Sequence, residues 1–268
     1  MYEFKYHQPK NADDAAAQLA NLDNAKPLAG GMSLLPTMKL RLTQFSNIVD
    51  LSAVDGIKGI RRDGDMLEIG AMTRHYDVST SPIVRNAIPA LSSLAGGIGD
   101  PLVRNRGTIG GSIANADPAA DYPSSVLALN ATVVTTKRSI AADDFFTGLF
   151  ETALEPNEVI KAVRFPIPQA AAYVKFPNPA SRFALVGVFV AKTAQGVRVA
   201  VTGAATHVFR LKDAEAELNK NFTSGALEKF AVSAANLNED FHATAEYRAH
   251  VVGVILRRAV DAAAQGAR

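Results

Sequence analysis

The residues most able to do chemistry in this chain are clustered glycines. The stretch Gly107 to Asp121, GTIGGSIANADPAAD, puts Gly107, Gly110 and Gly111 within five residues and follows them with Asp117 and Asp121. Without a Cβ, such residues let backbone N–H groups approach a bulky anion closely, and left-handed φ values carry little steric cost. A second stretch, Leu28 to Leu35 (LAGGMSLL), carries Gly30 and Gly31 eighty positions before Gly110 and Gly111, and Ser lies close by in both places. Either loop alone reads first as a tight turn. Two loops of similar chemistry read as a pair able to clasp one extended dinucleotide by its diphosphate. Neither matches G-x-G-x-x-G or G-x-x-x-x-G-K-[ST], and Thr-Ile-Gly-Gly is not a nucleophile elbow.

Other chemistry is sparse. His7, His75, His207, His242 and His250 are scattered with none paired at a ligand spacing, so no metal site is expected. No nucleophile triad is present, and Asp143-Asp144-Phe145-Phe146 reads as a turn or helix entry packed by two aromatics before it reads as an acid–base pair. No residue is assigned a catalytic role. Zero cysteines among 268 residues exclude disulfides, thiolate nucleophiles and ordinary iron–sulfur ligation by this chain, and fit a reducing cytosol. With 28 basic and 26 acidic residues and no long run of either sign, a nucleic-acid partner is not expected. MYEFKYHQPK lacks an apolar leader core, and no apolar run approaches the roughly 18 residues of a membrane span, so a soluble, unprocessed chain is expected.

The elements that would position the loops follow from periodicity and caps. A strand near Tyr2–Tyr6, a helix with Ala15, Leu19 and Leu22 on one face capped by Asn11 or Asp13, a helical turn at Leu34–Leu40 and an extended Asn47–Leu51 make a small β-α-β-like unit. Leu67, Ile69 and Ala71 alternate as in a half-buried strand. Ser81-Pro82 opens a helix that Pro89 ends or kinks before another through Leu91 and Leu94. Pro123 suits the first turn of a helix, which leaves Asp121 equally readable as a cap or as a ligand contact. Strands follow at Ala131–Thr135 and Val159–Phe165. After the Pro-containing boundary at 165–168 come two strands, Ala184–Thr193 and Val197–Ala205, and helices near Lys212–Leu218, Thr223–Ala235 and Thr244–Ala264. Tyr247, Val251, Val254 and Ile255 would form the apolar face of the last.

Four segments in this order resemble the FAD-binding medium subunit of the molybdenum hydroxylases, the family of aerobic carbon monoxide dehydrogenase and the xanthine dehydrogenase flavin domain. They are LAGGMSLLPTMKLRL, IGAMTRH, VRNRGTIGGSIANADPAAD and AEYRAHVVGVILRRA, and the match runs nearly end to end. The resemblance implies an α+β fold: a two-lobed FAD-binding domain of the vanillyl-alcohol-oxidase or PCMH type over residues 1–168, with lobes of about 1–56 and 57–168, then a small C-terminal domain over 169–268. It implies that Leu28, Ala29, Gly30, Gly31, Met32, Ser33, Leu34 and Leu35, with Thr108, Ile109, Gly110, Gly111 and Ser112, hold the diphosphate. Asp121 would accept hydrogen bonds from the cofactor, and Ile98 and Ile160 would pack on it. Lys175 would lie beside the flavin as an electrostatic tuner, against the plainer reading of a solvated strand-end lysine.

Three departures stand out: Met32 where relatives often carry Gln or His, Asn115 where many carry His, and Phe183 where a carbon monoxide dehydrogenase relative carries Tyr beside the ring. By the resemblance FAD is noncovalent, while molybdopterin and two [2Fe–2S] clusters belong to a large and a small partner subunit, arranged as a dimer of heterotrimers. Electrons leave to a soluble or membrane acceptor, from the cytoplasm or the inner face of the membrane. A self-contained flavin reductase or oxidase and a non-catalytic nucleotide-binding module are the rival readings.

Overall fold

A computed structural model describes residues 1–266 and has an α+β architecture. The first lobe is built from β1 (Lys5–His7), α1 (Ala12–Asn21), β2 (Ala25–Leu28), α2 (Leu34–Lys39) and β3 (Asn47–Asp50), whose strands form a parallel sheet in the order β1-β3-β2. The expected first strand lies slightly later than Tyr2–Tyr6. Of the two candidate caps Asn11 is the one used, its Oδ1 accepting the Asp14 N–H at 2.8 Å. Ala15 and Leu19 then bury against Val49 and Leu51, so the helix is fixed on the sheet edge that launches the first glycine loop.

The second lobe holds β4 (Ile60–Asp63) and β5 (Met66–Gly70), then six short helices, α3 (His75–Thr80), α4 (Pro82–Ala87), α5 (Pro89–Gly96), α6 (Pro101–Arg106), α7 (Ile109–Asn115) and α8 (Tyr122–Ala128). It continues with β6 (Thr132–Thr135), β7 (Ser139–Ala141), α9 (Ala142–Phe145), the two-stranded hairpin β8 (Phe146–Gly148) and β9 (Glu151–Thr152), and β10 (Ile160–Pro166). Its main sheet is antiparallel in the order β4-β5-β10-β6-β7. Pro82 and Pro89 each occupy a helix start, where a missing N–H costs nothing, and so divide α4 from α5 as their spacing predicts. Leu67, Ile69, Val163 and Phe165 are fully buried on this sheet beneath Leu91, Leu94 and Ile109 of the helices. That packing holds the start of α7 rigidly over the sheet.

The C-terminal unit is an antiparallel sheet, β11 (Ala170–Pro177), β12 (Ala184–Thr193), β13 (Gly196–Thr202) and β14 (Phe209–Arg210) in that order, with α10 (Lys212–Lys220) and α11 (Ala245–Gly266). Alternation along β12 divides its two faces. Val186, Val188 and Val190 pack under α11, whereas Phe189 and Ala191 join the core of the second lobe. Two expectations fail here. Thr223–Ala235 is not a helix but a single 3-10 turn at Ser224–Leu227, after which Phe230, Val232 and Leu237 pack on the C-terminal core from irregular backbone. On α11 the buried face is Val251, Val252, Ile255, Leu256, Ala259 and Val260, while Tyr247 is exposed and Val254 only half-buried. Among the described residues no helix is long and apolar enough to cross a membrane.

Candidate FAD-binding site

A cavity of about 990 Å³ runs between the two lobes to the first hairpin of the C-terminal sheet. This is the upper end of the size usual for small-molecule sites, enough for an extended dinucleotide. Ala29 to Leu34 line it from one side, Thr108 and Gly110 to Ser112 from the other, and Ile98, Asp121, Ile160 and Phe183 complete the expected set. Leu28, Leu35, Ile109 and Lys175 are not on its wall. Ile109 is fully buried in the core of the second lobe, while Leu28 and Leu35 pack behind Gly31.

The two glycine loops touch and do different work. A Cβ on Gly30 would fall 2.7 Å from Gly107 Cα and from the Arg106 carbonyl carbon, and closer still to that carbonyl oxygen, so the backbones meet where only glycine fits. Gly31 has φ +75°, which turns the chain into α2. From Gly30 through Leu34, five consecutive N–H groups have no acceptor in the chain among the described residues, and Ser33 makes no side-chain cap. An uncapped helix start with free amides is an anion site.

In the second loop the amides are already used, contrary to the expectation of a matching cradle. Ile109 N–H donates to Thr73 O at 3.1 Å, Gly110 N–H to Ala71 O at 2.8 Å, Gly111 N–H to Thr108 Oγ1 at 3.1 Å and Ser112 N–H to Thr108 O at 3.0 Å. Thr108 thus caps α7, and its own amide and the Ser112 hydroxyl remain without a partner among the described residues. Gly110 and Gly111 are glycines for contact: a Cβ would meet Ala71 Cβ at 2.5 Å from the first and Thr108 Oγ1 at 2.9 Å from the second.

Asp121 is almost fully buried at the far end. It does not cap α8, whose start receives no side-chain bond. Its Oδ1 instead accepts from the Tyr173 hydroxyl at 2.5 Å and pairs with the Lys175 ammonium at 2.9 Å, and its Oδ2 has no donor among the described residues. Burial pushes its carboxyl above the usual range, with Lys175 and Tyr173 opposing. Lys175 is not the solvated lysine of the plainer reading, its side chain being 12% exposed.

Sequence reasoning missed several wall residues. The β8–β9 hairpin and the turn after it bring Thr147, Phe150, Thr152, Leu154 and Pro156 to the cavity, and Lys26 and Phe45 close it from the first lobe. His75, at the start of α3, also lines it, with Nδ1 buried and unpartnered. Burial, with Arg104 nearby, lowers its pKa to about 4, so at neutral pH it is an uncharged ring beside the Gly107 backbone. Asp143 is engaged by Arg198 and Arg210 away from the cavity, in agreement with a structural role for that acidic pair.

Residues 2–168 match the FAD binding domain in molybdopterin dehydrogenase, and residues 171–263 match the CO dehydrogenase flavoprotein C-terminal domain. The chain belongs to the FAD-binding medium subunits of the molybdenum hydroxylases. It is 38% identical to the carbon monoxide dehydrogenase medium chain of Hydrogenophaga pseudoflava, over 97% of this chain and 96% of that one. It is 36% identical to the nicotine 6-hydroxylase medium subunit of Paenarthrobacter nicotinovorans, over 96% and 95%. The structure of Hydrogenophaga pseudoflava carbon monoxide dehydrogenase lacking the Mo-pyranopterin moiety superposes with a TM-score of 0.92, covering 98% of both chains. As a flavoprotein subunit of this family the chain is a part of an oxidoreductase, and its cavity is where such a subunit's cofactor must be sought.

Proposed function

We propose that this chain binds FAD noncovalently in the interlobe cavity and is the electron exit of a molybdenum hydroxylase. The observation that carries the reading is the run of five unpaired amides from Gly30 to Leu34 at the uncapped start of α2, facing the capped loop Thr108–Ser112 across a cavity of about 990 Å³. That donor set fits a diphosphate. The Thr108 amide and Ser112 hydroxyl add donors from the opposite side, and Asp121 Oδ2 offers an acceptor to the ring end. Ile98 and Phe183 supply apolar surface at that end, and Ile160 lines the wall further along. Leu28, Leu35 and Ile109 support the loops from behind. The FAD domain spans 1–168, with lobes of about 1–56 and 57–168, followed by the C-terminal domain.

Bound FAD supplies an acceptor for electrons from partner [2Fe–2S] clusters and a donor to an outside oxidant. With no cysteine, the chain depends on a small iron–sulfur subunit and a large molybdenum–pterin subunit, in a dimer of heterotrimers. The complex belongs in the cytoplasm or at the inner membrane face. The relatives' names cover carbon monoxide and nicotine chemistry, so the substrate is a property of the large subunit. An absorbance spectrum of the purified protein tests the reading. Flavin bands support it, copurifying iron and molybdenum distinguish the subunit from a lone flavoenzyme, and a protein that takes up no flavin overturns it.

A further inference from the structure

Two residues on the C-terminal sheet, Tyr173 and Lys175, and Asp121 on the FAD domain form a largely buried polar assembly next to the cavity. Tyr173 and Lys175 are two apart on β11, so both side chains leave the same face. Lys175 Nζ meets three oxygens: Asp121 Oδ1 at 2.9 Å, the Gly97 carbonyl at 2.9 Å and the Arg182 carbonyl at 3.0 Å. An ammonium has three N–H donors. Two of them are hydrogen-bonded to the carbonyls, and the charge is paired with Asp121. Tyr173 donates to the same Oδ1 at 2.5 Å. Gly187, paired with Lys175 across the sheet, is the glycine that makes room for it: a Cβ there would lie 3.0 Å from Tyr173 Cζ and closer to the hydroxyl. The segment leading to Asp121 is tied to the same sheet, Thr202 Oγ1 donating to Ala120 O at 2.6 Å, Gly203 N–H to Pro118 O at 2.7 Å and Ala184 N–H to Ala119 O at 3.2 Å.

We propose that Tyr173 and Lys175 are positioning residues of the flavin site. Both hold Asp121 by Oδ1 alone, so that Oδ2 is the one polar atom it presents to the cavity. Lys175 also fixes two neighbours of that atom. Through Gly97 it holds the turn carrying Ile98, and through Arg182 the loop carrying Phe183. Lys175 therefore acts on the ring end through these groups. The C-terminal domain, which supplies neither glycine loop, is what aims the carboxylate supplied by the FAD domain.

The inference rests on the FAD reading, and the test separates the two. The full chain is stripped of flavin and titrated with FAD, following flavin fluorescence for affinity and thermal unfolding for stability. Loss of one hydrogen bond to a carboxylate in Tyr173→Phe weakens binding by about tenfold, and Gly187→Ala, which displaces the hydroxyl without removing it, acts in the same direction. In an Asp121→Asn background, itself weaker, Tyr173→Phe adds less than about twofold, because contacts acting through one group are not additive. Lys175→Met weakens binding further than Lys175→Arg. If the lysine variants do not fold, the tyrosine cycle decides alone. Native-like affinity in Tyr173→Phe, or an equal effect with and without the Asp121 carboxylate, overturns the positioning role while leaving FAD binding intact. A wild-type chain that binds no FAD removes the functional reading itself, and the inference with it.

Discussion

Gly30→Ala separates contact from conformation as the reason for the first glycine pair. Gly30 is not in the left-handed region, so alanine introduces no backbone strain there. The added methyl would lie 2.7 Å from Gly107 Cα and the Arg106 carbonyl carbon, and nearer to that oxygen. Carbon contacts settle near 3.5–4.0 Å, so the two loops must separate by about 1 Å. Both obstacles are backbone, and no rotamer change relieves them. Overpacking typically costs about 1–3 kcal/mol, and this site belongs at the upper end. At about 2–4 °C per kcal/mol for a domain of this size, the melting temperature falls by about 6–12 °C. Separation also moves the donors of Gly30–Leu34 away from Thr108 and Ser112. Losing one or two charge-assisted bonds, each worth about 1.5–3 kcal/mol, weakens FAD by about 100-fold. The control is Gly64→Ala in the β4–β5 turn, with φ +56° and nothing within 4 Å of the added methyl. It costs about 1–2 kcal/mol of left-handed strain and leaves FAD affinity unchanged. Calorimetry and flavin titration of both variants check this. If Gly30→Ala melts like Gly64→Ala and binds FAD within threefold of wild type, the loop-contact argument is wrong.

Gly110→Val should abolish FAD binding, because even its Cβ meets Ala71 Cβ at 2.5 Å and forces α7 off the sheet; full flavin occupancy in a folded variant would refute this. Acid precipitation should release all the flavin into the supernatant, since neither loop offers a His or Cys for attachment; yellow colour in the pellet would contradict it. Asn115→His, at a half-buried position on the cavity wall, should retain flavin within a few-fold by titration. His75 should make stability acid-sensitive. Its folded pKa of about 4 lies below the unfolded value near 6.5, so neutral-ring stability is complete above pH 6.5 and is lost as pH falls toward 4, by about 3 kcal/mol. Denaturant titrations from pH 7 to 4 should show a flatter profile for His75→Phe than for wild type, and parallel profiles would sink the assignment.

Both glycine loops were legible as sequence because each carries a local backbone demand, and such demands depend on few neighbours. The division of labour between them was not. Whether an amide is free depends on what packs opposite, and Ala71 and Thr73, which take the Gly110 and Ile109 amides, lie on a strand end dozens of residues away. The start of α6 is equally local: Asp100-Pro101 is a cap followed by a first-turn proline, and Asp100 Oδ1 accepts the Val103 N–H at 2.8 Å. The hairpin of β8 and β9 has no such sign, since its apolar tip, Leu149 and Phe150, stays exposed and gives no alternation to read.

Asp121 shows why a carboxylate's role is the hardest thing to read. Its place before a helix suggested a cap, and its family position suggested a cofactor contact, yet its side chain is governed by Tyr173 and Lys175 some fifty residues later on another domain. A buried carboxylate left without partners would protonate rather than remain a defined acceptor. The Lys175 ammonium and a phenol seated against Gly187 oppose that protonation and fix the carboxylate's direction. The two domains are consequently coupled at the atom where the site ends. Substitutions on the β11–β12 face that never touch the cavity should therefore alter flavin affinity, whereas those on the opposite face under α11, such as Val188→Ala, should lower stability and leave the affinity of the folded protein unchanged.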